Sequence, residues 1–396
     1  MKISLDKDKL LITFKYNPKA LQAIRSVPGR QFNLDRKRWE VPVDNAAECV
    51  EALEPLGFKP DFSVITLAQA QQNRVATAEA IRNLPAEYDG NLPLFEFQKK
   101  GTKFLKEMPN VLLADQPGLG KTIQTIAAFE KELPKILVLC PNSLKYTWKT
   151  EIEKWEKDQQ PNVIDGFPMD RVKQWRENKK WTIANYELLL RDWSYIHKEW
   201  DVIVCDEATR ISNPGAKTTK ALKKLQAKRR IALTGTPISN RPDDIWSIID
   251  WISPRYLGSY YQFTEQYCIK EPRFNRIVGY KNLDDLGRRV NRFMLRRTKE
   301  EVLPDLPPKI IEDIEFNLSE EEGKMYRGIR NIIASEIAKL EVNPQTLQLI
   351  PVKMTRLLQA TDDARLLGVK DIKSSKLEAL KEILEPIMTN LDQHIS

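Results

Sequence analysis

Over the first sixty residues, apolar side chains fall at every second position in short runs. Ile3 and Leu5 alternate with polar neighbours, residues 6–9 make a polar turn, and Leu10, Ile12 and Phe14 alternate again, the pattern of a strand hairpin. A helix is then expected, with Asn17 as cap, Pro18 in its first turn, Leu21 and Ile24 on its buried side and Pro28-Gly29 as its stop. The plan repeats. Phe32 and Leu34 answer Trp39, Val41 and Val43 across a turn at 35–38, and Asn45 with Glu48 stands at capping-box spacing before a helix that ends by Pro55 and Gly57.

Residues 66–83 read as a polar, alanine-rich helix and 85–93 as a linker. Beyond it the alternation gives way to near-continuous apolar runs at 111–114, 136–140, 181–184, 202–205 and 231–233, spaced by helical stretches of crossover length. Strands that are apolar on both faces belong inside a parallel sheet covered by helices, so the expected fold class is α/β with a doubly wound parallel sheet. From 319 to about 340, and again from 347 to 388, the period is helical with many charges and no strand candidate. The organisation expected is a small α+β domain over 1–61, a helix and linker over 62–90, an α/β lobe over 91–300 and a helical region over 301–396.

Composition narrows the chemistry. No apolar run approaches the roughly 18 residues that cross a bilayer, and no leader is expected ahead of the charged, alternating start, so the expectation is no membrane and a cytoplasmic protein, nuclear or nucleoid-associated where the host has such a compartment. Cys49, Cys140, Cys205 and Cys268 lie far apart with no CxxC spacing and read as reduced core thiols. Two histidines, His197 and His394, leave histidine metal sites and Ser-His-Asp catalysis without material. The net charge of +8 favours a polyanionic partner, although lysines spread over solvated helices give the same total. Lys228, Arg229 and Arg230, and the pair Arg296 and Arg297, are open to two readings, phosphate contacts or plain solvated faces. Among the nine tryptophans, Trp148, Trp155, Trp246 and Trp251 recur at helical spacing and are expected in packing rather than base stacking.

The sharpest local signal is Ala114-Asp115-Gln116-Pro117-Gly118-Leu119-Gly120-Lys121-Thr122, directly after an apolar strand and before the helix IQTIAAF. Glycines such as Gly118 and Gly120, around Leu119, let backbone N–H groups point at phosphate oxygens, and the helix N-terminus adds a positive end. Lys121 then reaches the β and γ phosphates of a nucleoside triphosphate and Thr122 ligates Mg²⁺. The strict pattern wants glycine where Asp115 stands. Two strands later 202–205 leads into Asp206-Glu207-Ala208-Thr209, an acid pair at the carboxyl end of a buried strand. Asp206 is expected in the Mg²⁺ shell, and Glu207 is expected to orient and deprotonate an attacking water.

In order and spacing these segments resemble the superfamily-two helicases, in particular the Swi/Snf-type ATPases, from Leu94 to Pro308. Phe95-Glu96-Phe97-Gln98 looks like the adenine-reading segment, DQPGLGKTIQ like the phosphate loop, and LVLCPNSLKYTWKTEIEKW and ANYELL like segments that meet DNA. DEAT with ISNPGAKT, LTGTPISNRPDDIWSIIDW and LRRTKEEVLPDLPPK continue the pattern, and 374–380 is similar to the run-in to a second lobe. The resemblance implies a RecA-like lobe with a helical protrusion, ATP and Mg²⁺ as cofactors, adenine contacts from Phe95 and Gln98, phosphate contacts around Asp115 to Thr122, and double-stranded or branched DNA as partner. Two departures stand out. Thr209 replaces the family's usual histidine, which bears on contacts to Thr234 and Thr236, and Glu96 stands where a basic or neutral residue is commoner.

The stretch FKYNPKALQAIRSVPGRQFNLDRKRWEVPV resembles the HARP domain found beside the motor of annealing helicases; an accessory domain of unrelated origin is the other reading. DNA contact is expected on its second hairpin, through Arg30, Arg36, Lys37 and Arg38 around Phe32, Asn33 and Trp39. Motors of this type close ATP between two RecA-like lobes, the second supplying arginines to the γ phosphate. Too little strand-bearing chain follows Pro308 for such a lobe, so a second lobe in cis or in trans is the expected partner. The chain is expected to be a fragment whose hydrolysis alone is weak or absent. Two other readings remain: an ATP- and DNA-binding regulatory module without turnover, and a small-molecule kinase, in which LTGTP has no role.

Overall fold

The computed structural model describes residues 1–196, 199–238, 241–271, 276–305, 313–338, 349–369 and 372–394, in two compact units, Met1–Leu306 and Pro307–Ser396. The first opens with strands β1 (Lys2–Asp6), β2 (Lys9–Thr13), β3 (Gln31–Asn33), β4 (Arg38–Pro42) and β5 (Lys59–Pro60), in the order β3-β4-β2-β1-β5. Ile3, Leu10, Ile12 and Val41 meet Ile24 and Leu53 of the helices Pro18–Ser26 and Ala46–Leu53 in one buried cluster. Asn17 caps the first helix, accepting from the N–H groups of Lys19 and Ala20. That helix turns Ala20 inward beside Ile24 and leaves Leu21 half-buried, and Leu34 lies outside β3 in solvent.

Asn45 does not cap the second helix, because a short 3₁₀ turn at Val43–Asn45 runs straight into it and gives Asn45 neither the extended backbone nor the reach of a cap. Gln71 does that work from outside. Its Oε1 accepts from the Ala47 N–H at 2.9 Å while its amide donates to the Val43 carbonyl at 2.7 Å. Gln71 belongs to the long helix Phe62–Asn83, which puts Val64 and Ala68 into the small core and Ala78 and Ile81 into the next one.

The large sheet contains β6 (Asn110–Leu113), β7 (Ile136–Cys140), β8 (Asn162–Val163), β9 (Trp181–Asn185), β10 (Trp200–Asp206) and β11 (Ala227–Leu233). A separate antiparallel hairpin of β12 (Cys268–Lys270) and β13 (Ile277–Tyr280) precedes its last strand, β14 (Met294–Leu295). The order is β14-β6-β11-β10-β7-β9-β8 and every pair is parallel. All five strands expected from the apolar runs are present, and buried clusters on both faces of the sheet give the doubly wound architecture. Parallel order brings the carboxyl ends of β6, β11, β10, β7 and β9 to one edge, where an α/β sheet places its chemistry.

The second unit holds the helices Glu320–Ala338, Leu349–Asp362 and Ser375–His394. Ser239, Asn240 and 306–309 of the motifs quoted above, and 339–340, 347–348 and 370–371 of the expected helical stretches, lie outside the described residues, as does His197. Among the described residues no helix is long and apolar enough to cross a membrane.

Candidate active site

The loop between β6 and the helix Lys121–Ala128 holds Gly118 at φ +89° and Gly120 at φ +75°, left-handed backbone that side chains resist. A Cβ on Gly120 would also come within 2.6 Å of Gln98 Nε2. The Leu119 carbonyl accepts from Gln98 Nε2 at 3.3 Å and from Gln124 Nε2 at 3.0 Å. Because the peptide is trans, pinning this carbonyl points the Gly120 N–H the opposite way, away from the two amides. Lys121 donates to the Asp115 carbonyl of its own loop at 2.8 Å, and Thr122 stands half-buried in the first helical turn. Burial lowers the Lys121 pKa, and the carboxylates of Asp115, Glu207 and Asp206 oppose that shift. The ammonium therefore sits within the field of both acidic motifs.

Asp115, fully buried, explains why its position need not be glycine. Its carboxylate turns into a buried ion pair with Arg297, whose Nε lies 2.9 Å from Oδ1, and Gln124 Nε2 adds a bond of 3.2 Å to Oδ2. The same guanidinium reaches the Phe97 carbonyl and Gln124 Oε1, so Arg297 is neither a DNA contact nor a solvated charge. Arg296 is exposed and donates to the carbonyls of Ala114 at 3.2 Å and Gly235 at 3.3 Å. In the other basic cluster the two arginines are tied to backbone carbonyls, and Lys228 is an exposed, paired charge. Arg230 donates to the Trp251 carbonyl at 2.7 Å, Arg229 to those of Lys106 and Met108 at 3.1 Å each, and Lys228 pairs with Asp201 at 2.7 Å.

Gln98 is buried between the loop and Phe95, whose N–H it accepts at 3.0 Å. Phe95 is 63% exposed, stacks on Phe97 with ring centroids 5.8 Å apart, and lines an open cavity of about 710 Å³ with Lys100, Leu303 and Pro304. Glu96 faces solvent and pairs with Lys99 at 3.3 Å.

The acid pair closes β10. Asp206 is buried; its Oδ1 accepts the Glu207 N–H at 2.9 Å and its Oδ2 accepts Trp148 Nε1 at 2.8 Å. Tyr186 donates its hydroxyl to the Asp206 carbonyl at 2.7 Å. Glu207 is half-buried at φ +49°, a strained conformation for a residue with a side chain, worth roughly 1–3 kcal/mol. Burial raises the pKa of both acids; Asp206 raises Glu207 further, and Lys121 pulls both down. Beside them Thr234, at the end of β11, accepts the Thr236 N–H at 3.1 Å, and a Cβ on Gly235 would strike the Pro117 ring at 2.7 Å.

The structure thus brings Lys121, Asp206 and Glu207 into one electrostatic group, with Thr122 on the helix that follows the loop. No cluster of three or more His, Cys, Asp or Glu able to hold a metal occurs among the described residues. One hydroxyl and one carboxylate fit Mg²⁺, which keeps waters and takes phosphate oxygens rather than an all-protein cage. Trp148, Tyr186, Gln124 and Arg297 are the site residues that motif reading passes over. Trp148 and Tyr186 follow β7 and β9, and only the strand order β10-β7-β9 puts them beside Asp206.

A parallel sheet with a glycine loop after one strand and an acid pair after another, two places away, defines a RecA-like P-loop nucleotide-binding lobe. The family model of the SNF2-related domain matches residues 62–366, and the chain belongs to that family. It is 35% identical over 245 residues to an uncharacterized ATP-dependent helicase of Mycoplasma genitalium, covering 59% of this chain and 23% of that protein. With the human DNA annealing helicase and endonuclease ZRANB3 it shares 31% identity over 297 residues, 70% of this chain and 27% of that protein. The chain therefore spans less than a third of the length of these relatives. Among solved structures it is similar to the Sulfolobus solfataricus SWI2/SNF2 ATPase core in complex with dsDNA, with TM-score 0.50 and 34% identity, over 78% of this chain and 66% of that one.

Proposed function

We propose that the chain is the ATP-binding lobe of a motor that translocates on double-stranded or branched DNA, acting with a second RecA-like lobe supplied in cis or in trans. The observation that carries this reading is the shared field of Lys121, Asp206 and Glu207 at the glycine loop. In this reading the N–H groups of 118–122 cradle the phosphates, and Lys121 leaves the Asp115 carbonyl to meet them. Phe95 offers its exposed ring to the base. Thr122 and Asp206 would hold Mg²⁺, which neutralises charge on the β and γ oxygens. Glu207 orients water and takes its proton; a bond forms from the water oxygen to the γ phosphorus while the bond to the β–γ bridging oxygen breaks.

Similarity to a core solved with dsDNA supports a duplex track, and the HARP-like stretch 14–43 supports branched substrates and annealing. The small domain is fastened to the lobe. Asn45 donates to the Tyr256 carbonyl at 3.2 Å, Ser253 to Asp44 at 2.6 Å, Arg255 to Gln31 at 2.9 Å and Gln262 to the Arg30 carbonyl at 2.8 Å. DNA held on it would therefore move with the lobe. One observation favours a second reading, a regulatory module that binds ATP and DNA without turnover: Arg297, the buried arginine beside the loop, is committed to Asp115. ATP turnover measured with and without forked DNA, and with and without an added second lobe, separates the two. DNA-stimulated turnover that needs the second lobe and vanishes in Lys121→Ala is expected; tight ATP binding with no turnover in any combination would leave the regulatory module.

A further inference from the structure

Asp206 is held at three points. Its two carboxylate oxygens accept from the Glu207 N–H and from Trp148 Nε1, and its carbonyl accepts the Tyr186 hydroxyl. The last two donors come from outside its own strand. Trp148, 1% exposed, sits on the helix Lys145–Trp155 after β7, and Tyr186, 4% exposed, directly follows β9. A free carboxylate at a strand end has a broad choice of orientation. Here the indole N–H occupies one lone pair of Oδ2, while the peptide N–H of the next residue occupies one of Oδ1, so the plane of the carboxylate is fixed.

We propose that Trp148 is a positioning residue for Mg²⁺ at Asp206, with Tyr186 as the second support, so that the segment after β7 sets how tightly the lobe binds nucleotide with its metal. The proposal rests on the phosphate-loop reading and on no assumption about DNA. Mg²⁺ demands near-ideal octahedral geometry and tolerates a swinging ligand poorly. Residues that orient a metal's ligands are typically worth 10–100-fold in metal affinity or activity when removed. The indole N–H acts through Asp206 and touches neither nucleotide nor metal, so its loss should weaken the contribution of the metal and leave the rest of the phosphate cradle intact.

The full chain carries its own control. Trp175 is as buried as Trp148, and its Nε1 donates to the carboxylate of Asp192 at 2.9 Å, away from the loop. Titrating mant-ADP into wild type, Trp148→Phe and Trp175→Phe, in excess chelator and across a Mg²⁺ series, reads nucleotide affinity and the metal's share separately. Trp148→Phe is expected to raise the Mg²⁺ concentration for half-maximal effect about 10–100-fold, with affinity in chelator unchanged, and Trp175→Phe is expected to match wild type in both. If Trp148→Phe does not fold by circular dichroism, Tyr186→Phe, which removes one hydroxyl, is expected to move the Mg²⁺ series in the same direction. A folded Trp148→Phe with the wild-type Mg²⁺ dependence, or one that loses affinity equally with and without metal, overturns the proposal; so does Tyr186→Phe with no shift where that variant is the one read. Wild type that binds no mant-ADP at all overturns instead the phosphate-loop reading beneath it.

Discussion

Lys121 is the residue on which nucleotide binding is expected to turn, because the cradle otherwise offers only backbone dipoles. Lys121→Ala should lose most nucleotide affinity, while Glu207→Gln, which keeps shape and hydrogen bonding but removes the base, should bind ATP and retain it unhydrolysed. Equal ATP affinity for wild type and Lys121→Ala in a titration would refute the assignment. The pH dependence has a definite sign. A base works deprotonated, and burial raises the Glu207 pKa, so turnover should fall on acidification at a pH above the ordinary carboxylate value of about 4.3. A pH–rate profile of the lobe-complemented protein with no acidic limb, or one centred at that ordinary value, would count against Glu207 as the base. The loop and the acid pair were legible in the sequence because each is local, set by residues a few positions apart. The supports were not. Trp148 is 58 residues from Asp206 and Arg297 is 182 from Asp115, so no spacing along the chain announces either pair, and both side chains look ordinary in their own segments.

Among the elements, what was legible follows from length and pattern. The five longer strands of the large sheet announce themselves as apolar runs, whereas β8 and β14 have two residues each and carry no period. Asn45 illustrates a different failure: its spacing to Glu48 is right for a capping box, but tertiary contacts claim the amide, which donates to the carbonyls of Pro28 at 3.1 Å and Tyr256 at 3.2 Å. Asn45→Ala should therefore leave buried carbonyls unpaired, cost about 1–3 kcal/mol, and loosen the small domain from the lobe; urea unfolding and proteolysis within 84–93 check both effects, and an unchanged midpoint would refute it. The second hairpin needs similar care. Arg38 donates to Glu40 at 3.3 Å and Arg30 to the Val27 carbonyl at 3.0 Å. Glu40 also accepts from Lys9, first among the causes that hold its pKa near about 2. Reversing Arg38 would set like charges together at Glu40 and so change the hairpin as well as its charge. Arg36 and Lys37 are exposed on the turn, and they are the residues to change. A folded Arg36→Glu, Lys37→Glu variant should bind forked DNA more weakly and flatten the slope of log affinity against log salt by roughly one unit per lost phosphate contact. An unaltered slope would make this domain a spacer.

At the scale of the molecule the question is what one lobe can do alone. On the proposed reading its sheet edge carries the cradle, the metal carboxylate and the base, so binding and orientation of ATP should be intact. Charge developing on the γ phosphoryl group in the transition state is another matter. Arg297, which by position beside the loop would be a candidate to meet it, is buried in a pair with Asp115 that also ties Phe97 and Gln124 to the loop. Freeing it would leave Asp115 buried and uncompensated, at a cost on the order of 3–5 kcal/mol for a broken buried pair. Arg296 is exposed and touches two carbonyls at the edge of the same site, so it could turn without breaking an ion pair. An arginine delivered to the γ phosphate is worth roughly 10³ to 10⁵ in rate in related phosphoryl transfers. The chain alone should therefore bind ATP and hydrolyse it slower than the lobe-complemented motor by a factor in that range, with forked DNA restoring little. Single-turnover hydrolysis of radiolabelled ATP, compared for the chain alone, the chain with an added second lobe, and Arg296→Ala in each, measures the deficit. Fast turnover by the isolated chain that collapses in Arg296→Ala would place the arginine in this lobe and remove the need for a second one; slow turnover that the added lobe restores, unaffected by Arg296→Ala, would place it in the partner.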